Sequence, residues 1–336
     1  MQTELVELNN SITYSLDNET ITPDYFVQHY AEFLPRFIAN GNPSKDTMYQ
    51  YCQKIKHFIK WCISKQRHPL NMHEYQLIMY REFLLQRNYK NESIQIMLAA
   101  VRAFYHVAYK MELIKINPMA DIFAPPAANN ESLLSFYSKE QMAEILKVFD
   151  SEPDPFIKYR NKLIVYLMGV EGLRNVEVSR ACLEDINWET QAIMIRGKGT
   201  RGRRDPIYPC ERTFDLLEKY IKAIPVDDEH PVKKDGALTP LILSSSHKNY
   251  LGRVSRNGIR FVMNQALTAC NLKHPGFSCH IFRHNCGTNL YAQTKDLRMV
   301  QETLRQRDPK VTARYAHVNQ RMSHRITSAL VPENVD

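Results

Sequence analysis

The sequence predicts a mainly α-helical chain with one small β hairpin, divided into a helical bundle and a mixed α+β domain. Three observations predict it. A chain of 336 residues exceeds what one core usually encloses. Apolar residues recur at helical spacing through residues 44–110. The stretch APPAANNES at 124–132 then breaks the pattern, because two prolines followed by small polar residues do not continue a helix.

In chain order, Ser44 fits the N-cap of a helix through about Gln66, with Met48, Tyr51, Ile55, Phe58, Ile59 and Cys62 on one face. Asn71 with Glu74 forms a capping-box signal for a second helix carrying Tyr75, Ile78, Phe83 and Leu84. A third runs from about Ser93 to Lys110, with Ile94, Met97, Leu98, Val101, Phe104, Tyr105 and Ala108 inward. Lys54, Lys56, Lys60 and Arg102 fall largely between these positions, giving the helices a basic face. The second domain opens at Ser138, whose Gln141 completes another capping box. Helices are expected at 139–149, at 156–170 and, briefly, after Arg174. Ala192–Arg196 and Arg204–Tyr208 resemble strands joined by GKGTRG (197–202). Further helices follow near 211–223, 255–269, 281–292, 296–306, 308–316 and 319–330. The expected division is an acidic segment 1–21, a helical domain 22–123, a linker 124–137, a second domain 138–318 and a tail 319–336.

Composition narrows the partners. Hydrophobic residues at 44% and charged residues at 24% exclude a wholly disordered chain. Lys and Arg number 44 against 36 Asp and Glu, a net charge of +8 that favours a polyanion. Residues 1–40 carry −5, residues 41–130 +6 and residues 241–330 +11, so the excess lies in two separate lobes, as a grip on one anionic ligand would need. Seven cysteines with no CxxC pair exclude a disulfide framework and a zinc ribbon, and point to buried reduced thiols. The N-terminus lacks a signal-peptide h-region, and the longest apolar run, Leu163 to Val170, is too short to span a bilayer. A soluble cytoplasmic protein with no membrane partner is expected.

GKGTRG matches the G-x-G-x-x-G dinucleotide pattern, but RRDPIYP follows it where a helix would be required. A hairpin with a basic tip, including Arg196, Lys198, Arg201, Arg203 and Arg204, fits better. No metal site stands out. His280 and His284 are four apart, yet HIFRH lacks the glutamate of HExxH and has no acidic cluster beside it. Fixed cations are better supplied, and phosphoryl transfer without a metal needs them together with a nucleophile and a proton donor. EGLRNVEV places Arg174 three residues before Glu177. HIFRH places His280 and Arg283 at i and i+3, and VTARYAHV places Tyr315 in a basic segment. Singly, each has a plain structural explanation.

Their order and spacing resemble the tyrosine recombinase (phage integrase) family: GLR with a following acid, a hairpin lysine, HxxR and a tyrosine near the C-terminus. The resemblance covers about 139–318 as catalytic domain and about 22–120 as the helical, SAM-like core-binding domain, including Asn117 and Pro118 before the linker. It implies that Arg174 and Arg283 clamp the scissile phosphate, that Lys198 protonates the leaving 5′ oxygen, that His280 assists proton transfer, and that Tyr315 attacks to give a 3′-phosphotyrosine link. Guanidinium suits the clamp through its planar fork and permanent charge. Glu177 would buttress the arginines. The ester retains the energy of the broken bond, so no cofactor is implied.

One departure stands out. The family's LGH reads LRQ here: Leu304 keeps the family's spacing of eleven residues to Tyr315, and Gln306 takes the His/Trp place. An amide can donate a hydrogen bond there but cannot carry charge, which implies a supporting role or a weakened enzyme. The resemblance further implies double-stranded DNA as partner and a homotetramer on two DNA sites, and admits accessory DNA-bending or directionality proteins. The tail, with Met322, Ile326 and Leu330 at helical spacing, is expected to dock on a neighbouring subunit. Arg201, Arg256 and Arg260 join Lys54, Lys56, Lys60 and Arg102 as candidate DNA contacts. The short acidic N-terminal segment favours a simple two-domain recombinase of the Xer or mobile-element type. A type IB topoisomerase-like activity and a catalytically weakened DNA-binding protein are the alternatives.

Overall fold

The computed structural model describes residues 14–16, 19–126, 136–197, 204–274, 277, 279–306, 308–309, 312–313 and 315. The chain divides into two compact units, Met1–Glu131 and Ser132–Asp336.

The first unit begins with antiparallel strands β1 (Tyr14–Leu16) and β2 (Glu19–Ile21). Four helices follow: α1 (Pro23–Phe37), α2 (Lys45–Ser64), α3 (Glu74–Gln86) and α4 (Asn91–Lys110). Ser44 caps α2 as its sequence indicates, its Oγ accepting from the Thr47 N–H at 3.1 Å. Aromatic rings fill the core, with Phe58 and Trp61 each 5.0 Å from Tyr80 and Phe26 5.1 Å from Phe104. All seven inward residues expected of the third helix are buried in α4. The second helix differs. Asn71 closes a single 3₁₀ turn at Pro69–Asn71, so the cap moves to His73, whose N–H donates to Gln76 Oε1 at 2.9 Å. With that start, Leu77, Tyr80 and Leu84 form the buried face and Tyr75 lies 71% exposed.

The second unit opens with α5 (Lys139–Lys147), closed by the Ser138–Gln141 capping box in both directions, at 3.2 and 2.9 Å. A 3₁₀ turn at Val148–Ser151 ends it, shortening the expected helix. Helix α6 (Pro155–Gly169) buries Leu163, Ile164, Leu167 and Met168 in the main core. Beyond it the chain reverses at Gly172, φ +67°, where the Leu173 N–H donates to Leu167 O at 2.8 Å. A Cβ there would lie 2.6 Å from Leu304 Cδ2, so both conformation and space demand glycine. That turn delivers Arg174 to the start of α7 (Asn175–Arg180).

A three-stranded antiparallel sheet follows: β3 (Ile186–Asn187), β4 (Ala192–Arg196) and β5 (Arg204–Ile207), in that order. Strand β3 adds to the expected hairpin. Pro206 is tolerated because β5 is an edge strand. The hairpin tip at 198–203 lies outside the described residues. Its two arms are anchored, with Arg204 Nη1 at 2.9 Å and Arg196 Nη2 at 3.3 Å from the buried Asp185 carboxylate. Both arginines therefore hold the hairpin base and are not part of a free basic tip.

Helices α8 (Glu211–Lys222), α9 (Arg256–Ala269), α10 (His280–Thr294) and α11 (Leu297–Thr303) complete the unit. The last ends three residues earlier than expected, because Leu304 caps it and Arg305 turns left-handed at φ +50°. Pro309, Thr312, Ala313 and Tyr315 are helical, whereas the expected helix at 319–330 lies outside the described residues. Cys62, Cys182, Cys279 and Cys286 are buried, but Cys210 is exposed just before α8, correcting the expectation of buried thiols throughout. Among the described residues no helix is long and apolar enough to cross a membrane.

Tyr80, Tyr105 and Tyr220 are fully buried, and burial raises each phenol above its ordinary 10.0. The unfolded chain therefore ionises first. Stability should hold below pH 10.0 and fall above it as pH approaches the folded values, by about 1.4 kcal/mol per pH unit for each tyrosine. Urea unfolding followed from pH 8 to 11 checks the direction.

Candidate active site

Glu177 organises the site. Its place, three residues past the Arg174 N-cap of α7, lets its carboxylate reach back to the Arg174 N–H at 2.9 Å. The same carboxylate accepts Arg174 Nη1 at 2.7 Å and Arg305 Nη2 at 3.0 Å, and Arg283 Nη1 stands 4.0 Å away. The Glu177 side chain is 0% exposed. Burial pushes its carboxyl up, but Arg305, the Arg174 N–H and the Arg174 guanidinium outweigh this and hold it below its usual value.

Arg283 lies on the first turn of α10 and is buried. Its Nη1 donates to Gly172 O and its Nη2 to Leu304 O, tying α10 to the turns that carry Arg174 and Arg305. Burial, then the neighbouring Arg174, lower its guanidinium to about 10, which leaves it charged at neutral pH. Three guanidiniums thus converge on one carboxylate, and the positive excess suits a phosphate.

Tyr315 is buried beside them, 1% exposed, against Cys286, Val300 and Leu304. Its ring lies over Gly287, where a Cβ would stand 2.6 Å from Tyr315 Cζ. Its hydroxyl is 3.2 Å from His284 Nδ1 and is hydrogen-bonded by the Gln306 side chain. Gln306 is held from both ends: its Oε1 accepts from Thr312 Oγ1 at 2.7 Å, and its backbone exchanges hydrogen bonds with Gln301. With Oε1 so engaged, the amide nitrogen is the end that donates to Tyr315. Burial raises the Tyr315 phenol, although Arg283, Gln306 and Arg174 oppose it.

Arg174, Glu177, Arg283, Gln306 and Tyr315, expected from sequence, are therefore brought together. His280 is the exposed first residue of α10, its ring centroid 6.4 Å from that of His284. Lys198 and Arg201 lie outside the described residues. Two participants were not expected. His284 is visible in HIFRH, though spacing alone could not place its ring on the tyrosine. Arg305 joins through the left-handed turn after α11, which no apolar pattern announces. Among the DNA candidates, Arg256 and Arg260 are exposed on α9, as are Lys56 and Lys60 a turn apart on α2, while Lys54 is half-buried. Arg102 is not held out on a basic face. Its Nη2 donates to Ile122 O at 2.6 Å, with Phe123 under the guanidinium at 5.8 Å.

The phage integrase family profile matches residues 135–322, and that of the phage integrase N-terminal SAM-like domain matches residues 32–115. Tyrosine recombinase XerC of Pediococcus pentosaceus is 26% identical over 298 residues, covering 87% of this chain and 94% of its own. XerC of Halalkalibacterium halodurans is 25% identical over 295 residues, covering 87% and 93%. Among solved structures, XerH recombinase bound to palindromic difH substrate matches with a TM-score of 0.66 at 16% identity, over 95% of this chain and all of that one. A lambda integrase dimer bound to a COC′ core site matches at 0.64 and 15% identity, over 94% and 80%.

Two outcomes are expected. Gly287→Ala should lower any Tyr315-dependent reaction at least tenfold while leaving DNA affinity within about twofold, because an added methyl displaces the ring. Glu177→Gln should destabilise the chain by about 3–5 kcal/mol, since it leaves buried guanidiniums uncompensated. Urea unfolding measures the second. The wild-type contribution should be lost as pH falls below about 4.5, and the variant should lack that loss.

Proposed function

This chain belongs to the phage integrase family, and we propose that it is a site-specific DNA recombinase that cuts and rejoins strands through Tyr315. The observation that carries the reading is the Glu177 cluster: Arg174 at 2.7 Å, Arg305 at 3.0 Å and Arg283 at 4.0 Å, with Tyr315 seated beside Arg283. The division of labour follows the family pattern, with 22–123 as core-binding domain and 138–318 as catalytic domain.

Arg174 and Arg283 neutralise the non-bridging oxygens of the scissile phosphate, lowering the cost of a phosphorane-like transition state. The Tyr315 Oη attacks phosphorus in line, the P–O5′ bond breaks, and Lys198 delivers a proton to the departing 5′ oxygen. The phosphotyrosine keeps a bond of similar energy, so a 5′-hydroxyl can reverse the step on a new strand. Gln306 supports the site by donating to Tyr315, a role open to a neutral amide. Glu177 fixes the clamp arginine Arg174 directly and faces Arg283 at 4.0 Å, without touching substrate.

Double-stranded DNA is the partner, and a tetramer on two DNA sites is the assembly, with 319–336 as the segment that links neighbouring subunits. Support for the tetramer comes from the fold's likeness to a lambda integrase tetramer bound to a Holliday junction, with a TM-score of 0.63. Lys56, Lys60, Arg256 and Arg260 are the proposed backbone contacts, which makes binding fall steeply with salt.

The test is covalent trapping on nicked duplexes built from the DNA flanking the gene. Wild type should accumulate a protein–DNA adduct and Tyr315→Phe none, with binding retained. An adduct formed by Tyr315→Phe would overturn the assignment.

A further inference from the structure

Arg305 stands where the family's LGH carries its glycine, and the turn keeps a glycine's conformation. Its φ is +50°, in a left-handed region that an arginine enters less readily than a glycine. From that turn the side chain folds inward to 12% exposure. Its Nη2 donates to Glu177 Oε2 at 3.0 Å and its Nη1 to Thr303 O at 3.0 Å. Its Nε is buried and has no hydrogen-bond partner among the described residues. A guanidinium drawn out of water for so few partners stabilises a fold weakly, because desolvation offsets the pairing. Its effect falls instead on the charges around it.

Glu177 divides its two oxygens among three cations. Oε1 accepts Arg174 Nη1 at 2.7 Å. Oε2 accepts the Arg174 N–H at 2.9 Å and Arg305 Nη2, and faces Arg283 Nη1 at 4.0 Å. Burial pushes the Glu177 carboxyl up, and Arg305 heads the influences that hold it down. With Arg305 the cluster carries a charge of +2, and without it the carboxylate would leave the two clamp arginines with +1. A phosphodiester is a monoanion, and its phosphorane-like transition state gathers further negative charge. Gln306, the next residue, adds no charge to meet it.

We propose that Arg305 is a positioning residue for strand cleavage: by pairing with Glu177 it leaves the charge of Arg174 and Arg283 to the scissile phosphate. The proposal rests on the recombinase reading. Arg305 acts through the carboxylate rather than by contact with DNA. The charge it releases meets charge that develops during the reaction, so it raises the cleavage rate more than the affinity. Its place beside Gln306 lets one short turn, Leu304 to Gln306, supply both a cation for Glu177 and a neutral donor for Tyr315.

Single-turnover cleavage by the full chain tests it, on nicked duplexes from the gene-flanking DNA with either a phosphodiester or an uncharged methylphosphonate at the scissile position. Arg305→Gly fits the left-handed turn, which guards against a folding defect. This variant and Arg305→Gln should cleave the phosphodiester about 30-fold more slowly than wild type, with binding within about twofold. On the methylphosphonate both should come within about threefold of wild type, because that linkage lacks the charge to be balanced. Arg305→Lys keeps the cation and should cleave the phosphodiester about tenfold faster than the glycine variant. Near-wild-type cleavage of the phosphodiester by the glycine and glutamine variants overturns the proposal, as does a lysine variant as slow as they are. An equal loss on both linkages also overturns it, by assigning Arg305 a purely structural role. A wild-type chain that forms no adduct overturns the recombinase reading first and this proposal with it.

Discussion

One buried carboxylate holds the catalytic half of the molecule together. Glu177 sits fully inside the protein, where an isolated charge would be costly, and the surrounding guanidiniums are what keep it ionised. In return it fixes the direction of Arg174 and Arg305 and lies within 4.0 Å of Arg283. Those residues belong to the turn before α7, the turn after α11 and the first turn of α10. Removing the carboxylate would therefore loosen three segments at once. The arrangement is also unbalanced by design of charge, since three cations face one anion. That excess is suited to a phosphate.

The second constraint is the surface of α10. Arg283, His284 and Gly287 fall at i, i+1 and i+4, which places a cation, an imidazole and a bare backbone patch within one helical turn. Tyr315 fills the patch and meets the imidazole. At 1% exposure, the Tyr315 phenol is shielded from solvent by this packing. The exchange of histidine or tryptophan for Gln306 is accommodated because the amide is fixed by Thr312 and Gln301 and still donates to the tyrosine.

Much of this was legible in the residues. Helices α2 and α4 follow strict apolar spacing and strong caps, so their extent and buried faces were clear. The capping box at Ser138 and the short helix after Arg174 were equally plain, as was the pairing of β4 with β5. Other features depend on tertiary context. Trp61 joins the core because Tyr80 stands opposite, and Tyr75 leaves it because a 3₁₀ turn delays α3. Arg102 resembles a surface cation in sequence, yet the segment after α4 gives it a carbonyl at Ile122. Arg196 and Arg204 looked like a basic tip until Asp185 claimed them. Arg305 was missed, and His284 was not placed on the tyrosine, for the same reason, since their partners lie 128 and 31 residues away in the chain.

The central claim is that the Glu177-anchored arginines form the seat of a scissile phosphate with Tyr315 as nucleophile. A structure of the Tyr315→Phe chain on its DNA site tests it most directly. The account predicts a phosphate within hydrogen-bond distance of Arg174 and Arg283, with the ring of residue 315 in line with the P–O5′ bond. A bound duplex whose nearest phosphate lies away from both arginines would contradict it.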